Sequence, residues 1–254
     1  MSFLRRDLDG GIVTVTLDRP PVNAVSQPMY EEIRELFSDI AAVEPQARVV
    51  ILTGAGRHFC GGNDLDEFRT LSPENSGLRM KVIREAFFAI SDCVLPVIGA
   101  VKGVAVGTGL ALAASCDVVV AGESARFSLP EISVGVMGGA KHASRLVPPA
   151  MVRYLHLTAK QLTGADLMRF GGVVEVVPDD ELLHAAKGLA QEMLRHSPVA
   201  LRFAKQSLNY IEYLDLKSGY EYEQGLSGEL SAYRDAKEAV AAFFERREPR
   251  YTGE

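Results

Sequence analysis

The 254-residue chain has only three cysteines, Cys60, Cys93 and Cys116. They are widely spaced, with no C-x-x-C and no histidine pairing, so neither a disulfide framework nor a zinc site is supported. No apolar run reaches the roughly 18 residues of a membrane span. The opening MSFLRRDLDGG has two arginines but no apolar stretch after them, so it does not read as a signal peptide. Positive charge is in deficit too: 27 Lys and Arg stand against 33 Asp and Glu, for a formal net charge of -6. That balance argues against nucleic acid or an anionic membrane as the main partner. A soluble, cytoplasmic protein is the expectation.

Hydrophobic residues make up 47% and charged residues 24%, an ordinary globular balance, and the length suffices for a large core. Residues 2–18 hold two alternating stretches joined at Gly10-Gly11, a hairpin signal. Residues 27–43 repeat apolar positions at helical spacing, with Pro28 near the start. RVVILTG (48–54), PVIGAVKG (96–103) and DVVVAGE (117–123) read as buried strands. A helix is expected over about 76–91, another opens at Gly107, and GVVEVV (172–177) reads as a further short strand. Residues 179–212 and 215–246 read as amphipathic helices. Strand and helix alternate first and helices dominate afterwards, which implies an α/β core with a helical C-terminal part packed against it or against a partner chain.

Three familiar chemistries fail on inspection. VVILTGAGRHF offers Gly-x-Gly after a strand, but the third glycine position is Phe59 and no helix can start there, so a dinucleotide site is excluded. No G-x-S-x-G occurs, and Ser115 sits inside a helix with no histidine near in sequence, which removes a serine nucleophile. Lys141-His142, in GGAKHAS, reads first as a solvated helix face.

Two glycine-rich turns are more informative. FCGGNDLDEF (59–68) and GVAVGTG (103–109) each follow a buried strand and carry a short polar residue, Asn63 or Thr108. With both strands in one sheet, the two turns emerge at one edge and their backbone N–H groups converge on one oxygen. The helix opening at Thr108 adds its positive end there. Such donors suit a carbonyl that becomes an enolate, and losing one typically costs about 2.7–4 kcal/mol of transition-state stabilisation. A phosphate nest would usually add a Lys or a Ser/Thr-Lys pair, which GVAVGTGLA lacks.

FCGGNDL, PVIGAVKGVAVGTGLALAASCD and ARFSLPEISVGVMGG together resemble the signature segments of the crotonase, or enoyl-CoA hydratase/isomerase, superfamily. The resemblance runs from RPPVNA (19–24) to the FFERREP tail, and PPAMVRYLHLT with the tail looks closest to the carnitinyl-CoA dehydratase branch. It implies a repeated ββα spiral core over 1–195. A C-terminal helical region over 196–254, part of the same structural unit, would assemble homotrimers or hexamers. It also implies an acyl-CoA thioester substrate, with coenzyme A part of that substrate, and neither a metal nor a separate cofactor. The thioester carbonyl would sit between the N–H groups of Asn63 and Thr108. Val22, Ala24, Gly62, Asp64 and Leu65 would line the CoA channel, and Gly107 and Pro130 would flank the acyl group.

Family members that hydrate a double bond commonly use two glutamates. One falls here at Glu131, in the apolar run SLPEISVG, where burial would raise its pKa. The other falls at Ala111, which cannot carry a proton. A positioned proton-transfer group is worth typically 10²–10⁴-fold. Three catalytic readings therefore stand: an isomerase using Glu131 alone, a hydratase in which Glu131 activates water steadied by the Gly139 N–H, or a site completed by Lys141 or His142. A non-catalytic acyl-CoA binding protein is the alternative from another class. The 64–80 segment is expected as a mobile lid, and Arg57, Arg246, Arg247 and Arg250 are the candidate cations for the CoA phosphates.

Overall fold

The Gly10-Gly11 pair, both at positive φ, turns the chain between strands β1 (Leu4–Asp9) and β2 (Ile12–Leu17). Glycine meets the left-handed backbone that a two-residue hairpin turn requires. These coordinates come from a computed structural model that describes residues 2–254. The further strands are β3 (Val49–Gly54), β4 (Val97–Val101), β5 (Val104–Val106), β6 (Val118–Gly122), β7 (Arg126–Ser128), β8 (Gln161–Thr163) and β9 (Glu175–Val177).

A six-stranded sheet runs β1-β2-β3-β4-β6-β9, antiparallel at β1–β2 and parallel from there on. A three-stranded sheet, β5-β7-β8, stands beside it, with β5–β7 parallel and β7–β8 antiparallel.

The helices are α1 (Gln27–Ser38), α2 (Ile40–Val43), α3 (Leu65–Phe68), α4 (Pro73–Ser91), α5 (Thr108–Ser115), α6 (Ala140–Ala143), α7 (Pro149–Thr158), α8 (Gly164–Arg169), α9 (Leu182–Leu194), α10 (Pro198–Ile211), α11 (Leu216–Leu230) and α12 (Arg234–Glu245). A short 3₁₀ turn covers Glu131–Val134.

Side-chain alternation in the parallel strands sends residues to two cores. Val50 and Leu52 join Val13, Val15 and Leu17 with Met29, Ile33 and Phe37 of α1 and Ile90 of α4. Val49 and Ile51 face the other way, with Ile98, Ala100 and Val120, onto Leu182, Ala186 and Ala190 of α9. Every residue of β3 is buried, as expected where helices cover both faces of a parallel strand. Leu182, Ala186 and Ala190 recur every four residues and make one helix stripe.

Several helices stop short of their periodic patterns. The 27–43 stretch divides at Asp39 into α1 and α2. The 179–212 stretch divides at Ser197-Pro198, where the Ser197 hydroxyl accepts from the N–H groups of Val199 (3.1 Å) and Ala200 (3.3 Å) and starts α10 anew. The 215–246 stretch likewise divides between α11 and α12. Residues 64–80, expected as a lid, hold α3 and the first turns of α4. The Asp64 side chain caps α3 by accepting from Asp66 N–H (3.0 Å), and the Glu67 carboxylate accepts from Gln27 N–H (2.9 and 3.1 Å) at the start of α1.

The C-terminal helices are fastened to the sheet by polar contacts. Lys205 of α10 reaches Asp117 Oδ2 at 2.8 Å and the Leu95 carbonyl at 3.1 Å, and Asn209 Nδ2 donates to the Ser91 carbonyl at 2.7 Å. Buried Asp235 of α12 accepts from Ser197 Oγ at 2.7 Å and from Thr252 N–H at 2.8 Å. No helix among the described residues is long and apolar enough to cross a membrane.

Candidate active site

Strands β3 and β4 are parallel neighbours, so the loops that follow them leave the sheet at one edge. There they run alongside each other: Cys60 pairs with Ala105, with Cys60 N–H to the Val104 carbonyl and Val106 N–H to the Cys60 carbonyl, both 3.0 Å. The loops are so close that a Cβ on Gly109 would lie 2.3 Å from the Cys60 carbonyl oxygen. Asn63 and Thr108 stand at the ends of this paired stretch. No backbone carbonyl among the described residues accepts from the N–H of either. For Thr108, the first residue of α5, that orphan donor lies at the positive end of the helix.

The segment before α1 lies against the first loop. Gly61 N–H donates to the Val22 carbonyl (2.7 Å), Val25 N–H to the Gly62 carbonyl (2.8 Å), and Asp64 N–H to the Val25 carbonyl (2.9 Å). Val22, Ala24, Gly62 and Asp64 are thus brought together, with Leu65 next to them and 61% exposed. Arg19, at the start of the RPPVNA segment, ties this group: its guanidinium pairs with Asp64 and donates to the Ala24 carbonyl at 2.9 Å. Although burial opposes ionisation, the Arg19 contact and the backbone donors hold the Asp64 carboxyl below its usual value.

Glu131 opens the 3₁₀ turn after Pro130 and is 9% exposed. Its Oε2 is buried with no hydrogen-bond partner among the described residues. The carboxylate lies against Gly107, where a Cβ would come within 2.8 Å of Oε1, and near Gly139, where the distance would be 3.5 Å. Both glycines have positive φ, 54° and 74°, so they combine a left-handed backbone with the room the carboxylate occupies. Burial pushes the Glu131 carboxyl up from its usual 4.5, opposed by its own N–H and by His156 of α7. Both ring nitrogens of His156 are themselves buried without a partner among the described residues. Ala111 lies one turn into α5 and is 1% exposed.

Lys141 and His142 point elsewhere. Lys141 Nζ sits 4.4 Å from the centre of the Tyr213 ring, and His142 packs edge-on against Phe87 with ring centres 4.9 Å apart. Of the candidate cations, Arg247 is engaged by Glu238 (2.6 Å) and Glu245 (2.6 Å), which holds the Glu238 carboxyl down at about 2. No cluster of three or more metal-binding side chains occurs among the described residues.

Tyr30 is a member of this neighbourhood that no motif announced. It is fully buried on α1, and its hydroxyl contacts Asn63 Oδ1 and, at 2.6 Å, Thr108 Oγ1. Its one signal in the sequence is a phenol on the apolar face of the 27–43 pattern, where a buried hydroxyl needs partners.

Comparison with known proteins follows the same lines. The family model described as enoyl-CoA hydratase/isomerase matches residues 7–254. A Rhodococcus jostii protein named (7aS)-7a-methyl-1,5-dioxo-2,3,5,6,7,7a-hexahydro-1H-indene-carboxyl-CoA hydrolase is 38% identical over 94% of this chain and 93% of its own. The 2,3-dehydroadipyl-CoA hydratase of Escherichia coli is 36% identical over 95% of each. The crystal structure of an enoyl-CoA hydratase from Bacillus anthracis superposes with a TM-score of 0.93 at 30% identity, covering 100% of both chains. With paired glycine-rich loops at one sheet edge, a buried glutamate beside them and this whole-length likeness, the chain belongs to the enoyl-CoA hydratase/isomerase family of enzymes and has its crotonase fold.

Proposed function

We propose that this enzyme binds an acyl-CoA thioester and passes through its enolate, with the thioester oxygen held by the N–H groups of Asn63 and Thr108 and the proton moved by Glu131. The observation that carries the reading is the Glu131 carboxylate, buried with an unpartnered oxygen against Gly107, at the loop whose next N–H is unclaimed. A carboxylate raised by burial takes up a proton more readily than an exposed one and can give it back. The thioester oxygen becomes negative only as that proton leaves. Fixed N–H donors therefore favour the transition state over the bound substrate.

In this reading Gly107 and Pro130 flank the acyl group, and the Gly139 N–H steadies a water or the acyl chain. Val22, Ala24, Gly62, Asp64 and Leu65 line the CoA channel. The reaction needs no metal or redox cofactor, because the thioester supplies the acidity at its α-carbon. The resemblance also supports assembly into homotrimers or hexamers.

With Ala111 in place of a second carboxylate, a single proton carrier has two simple uses. It can move one proton from C2 to C4 of a 3-enoyl thioester, giving the 2-enoyl isomer. It can also take a proton from water as hydroxide adds to C3 and return that proton to C2. The relatives named as hydrolases favour a further reading. There Glu131 deprotonates water, hydroxide adds to a ring ketone, and the bond to the thioester α-carbon breaks to leave an enolate that takes the proton back.

Ultraviolet absorbance separates these readings, with purified protein given a 2-enoyl-CoA, a 3-enoyl-CoA or a cyclic 3-ketoacyl-CoA. Loss of the conjugated signal in the first marks the hydratase, its gain in the second the isomerase, and loss of the dicarbonyl signal in the third the hydrolase. Glu131→Gln should lower the active rate by about 10²–10⁴-fold. Unchanged turnover in that variant overturns every catalytic version, and silence with all three substrates leaves an acyl-CoA binder.

A further inference from the structure

The enolate chemistry makes no use of Tyr30, yet its hydroxyl spans the two loops that carry the proposed donors. Its partners lie 33 and 78 residues away in sequence. The phenol has one proton, which goes to Asn63 Oδ1. At the second contact the phenol oxygen therefore accepts and the Thr108 hydroxyl donates. The ring has no freedom to leave, being fully buried and edge-on to Phe87 with centres 6.0 Å apart.

We infer that Tyr30 is a positioning residue: acting through the side chains of Asn63 and Thr108, it sets the separation of the two oxyanion-hole loops. The inference rests on the function proposed above. The backbone bonds between the loops lie at Cys60, Val104 and Val106; the tips are tied to other segments, Gly62 and Asp64 to Val25 and Gly107 to Ser128, so the direct restraint between the two tips among the described residues is the side-chain link through Tyr30. An oxyanion hole works only when both donors lie about 2.7–3.1 Å from the developing charge. A rigid phenol bonded to both tips provides that restraint. Burial keeps the phenol protonated, so the relay of Thr108 to Tyr30 to Asn63 persists over the working pH range.

The test uses the full-length protein, a chromophoric aromatic 2-enoyl-CoA whose absorbance shifts to the red when its carbonyl is polarised, and the substrate found active above. Tyr30→Phe should lower kcat by about tenfold, with KM within about twofold, because the ring remains and only the hydroxyl bonds go. The red shift of the bound thioester should shrink in the same variant. Thr108→Val, which keeps its backbone N–H, should reproduce part of the loss, and Thr108→Ser should restore it. The Tyr30→Phe/Thr108→Val double variant should be no worse than Tyr30→Phe alone, since both remove one linkage.

A full red shift and parental kcat in folded Tyr30→Phe would overturn the inference, as would effects that multiply in the double variant. Should Tyr30→Phe fail to fold, an unchanged red shift in Thr108→Val overturns it instead. Glu131→Gln, inactive but still polarising the thioester, marks the enolate reading as sound independently of Tyr30. No red shift in the parent protein would overturn the oxyanion reading, and this inference with it.

Discussion

Glu131 is the residue whose energetics are tied most closely to its chemistry. A carboxyl whose pKa is raised in the fold binds its proton more tightly there than in the unfolded chain. Its ionisation therefore takes stability away as pH rises above the usual value of 4.5 and through the raised one. Glu131→Gln removes that penalty. The variant should melt at a higher temperature than the parent at pH 7, with the gap closing as pH falls toward 4.5, which differential scanning calorimetry at several pH values measures. The same shift sets the sign for activity. Glu131 must be ionised to accept a proton, so the acid limb of kcat/KM should fall at a pH above 4.5, and a limb at or below that value would contradict a buried base.

The elements show how a helical tail is held to an α/β core. Lys205 on α10 is 6% exposed and pairs with Asp117, which is 22% exposed and also accepts from Val97 N–H at 2.7 Å. One contact therefore joins α10 to the start of β4 and to the residue before β6. Breaking a buried pair by removing one partner strands the other charge and typically costs about 3–5 kcal/mol. Lys205→Ala should lose less than that range in urea unfolding, because water reaches the Asp117 left behind and the Val97 N–H still donates to it. Lys205→Met, which keeps the volume, should lose less in combination with Asp117→Asn than alone, because the neutral amide no longer needs a cation.

The molecule as a whole leaves much apolar surface on its C-terminal half. Leu216 is 87% exposed, Phe243 79% and Phe244 78%, and Tyr213 and Leu208 are also open. Exposed apolar side chains of this size on several helices are ones that further copies would cover under the assembly proposed above. Under the proposed homotrimer or hexamer, analytical ultracentrifugation at micromolar concentration should give three or six times the mass of one chain. Phe243→Arg should shift the distribution toward the single chain. A parent protein that sediments as a monomer would contradict the assembly.

Much of this protein is legible in its amino-acid order because the signals are local. Gly10-Gly11 marks a hairpin, the Val and Ile run of 48–54 marks a strand buried on both faces, and the glycine turn into Thr108–Ser115 marks a helix N-terminus with a free N–H. Glu131 stands out as the one acid in an apolar run. Other features exist only once distant segments meet. The strands at 126–128 and 161–163 are three residues long, too short for periodicity, and are paired only by each other and β5. The pause at Asp39 interrupts a pattern that continues smoothly in sequence, whereas Ser197-Pro198 is a local helix-start signal that the spacing of 179–212 runs past. There, capping bonds and packing outweigh periodicity. Tyr30 and Lys205 are unremarkable where they stand in the chain, because what gives each its role is a partner 33 or 88 residues away. Local propensity and hydrophobic spacing act between neighbours and can be read from them. The pairing of buried polar groups depends on which loops the fold brings within about 3 Å, and that is settled by the packing of the whole sheet.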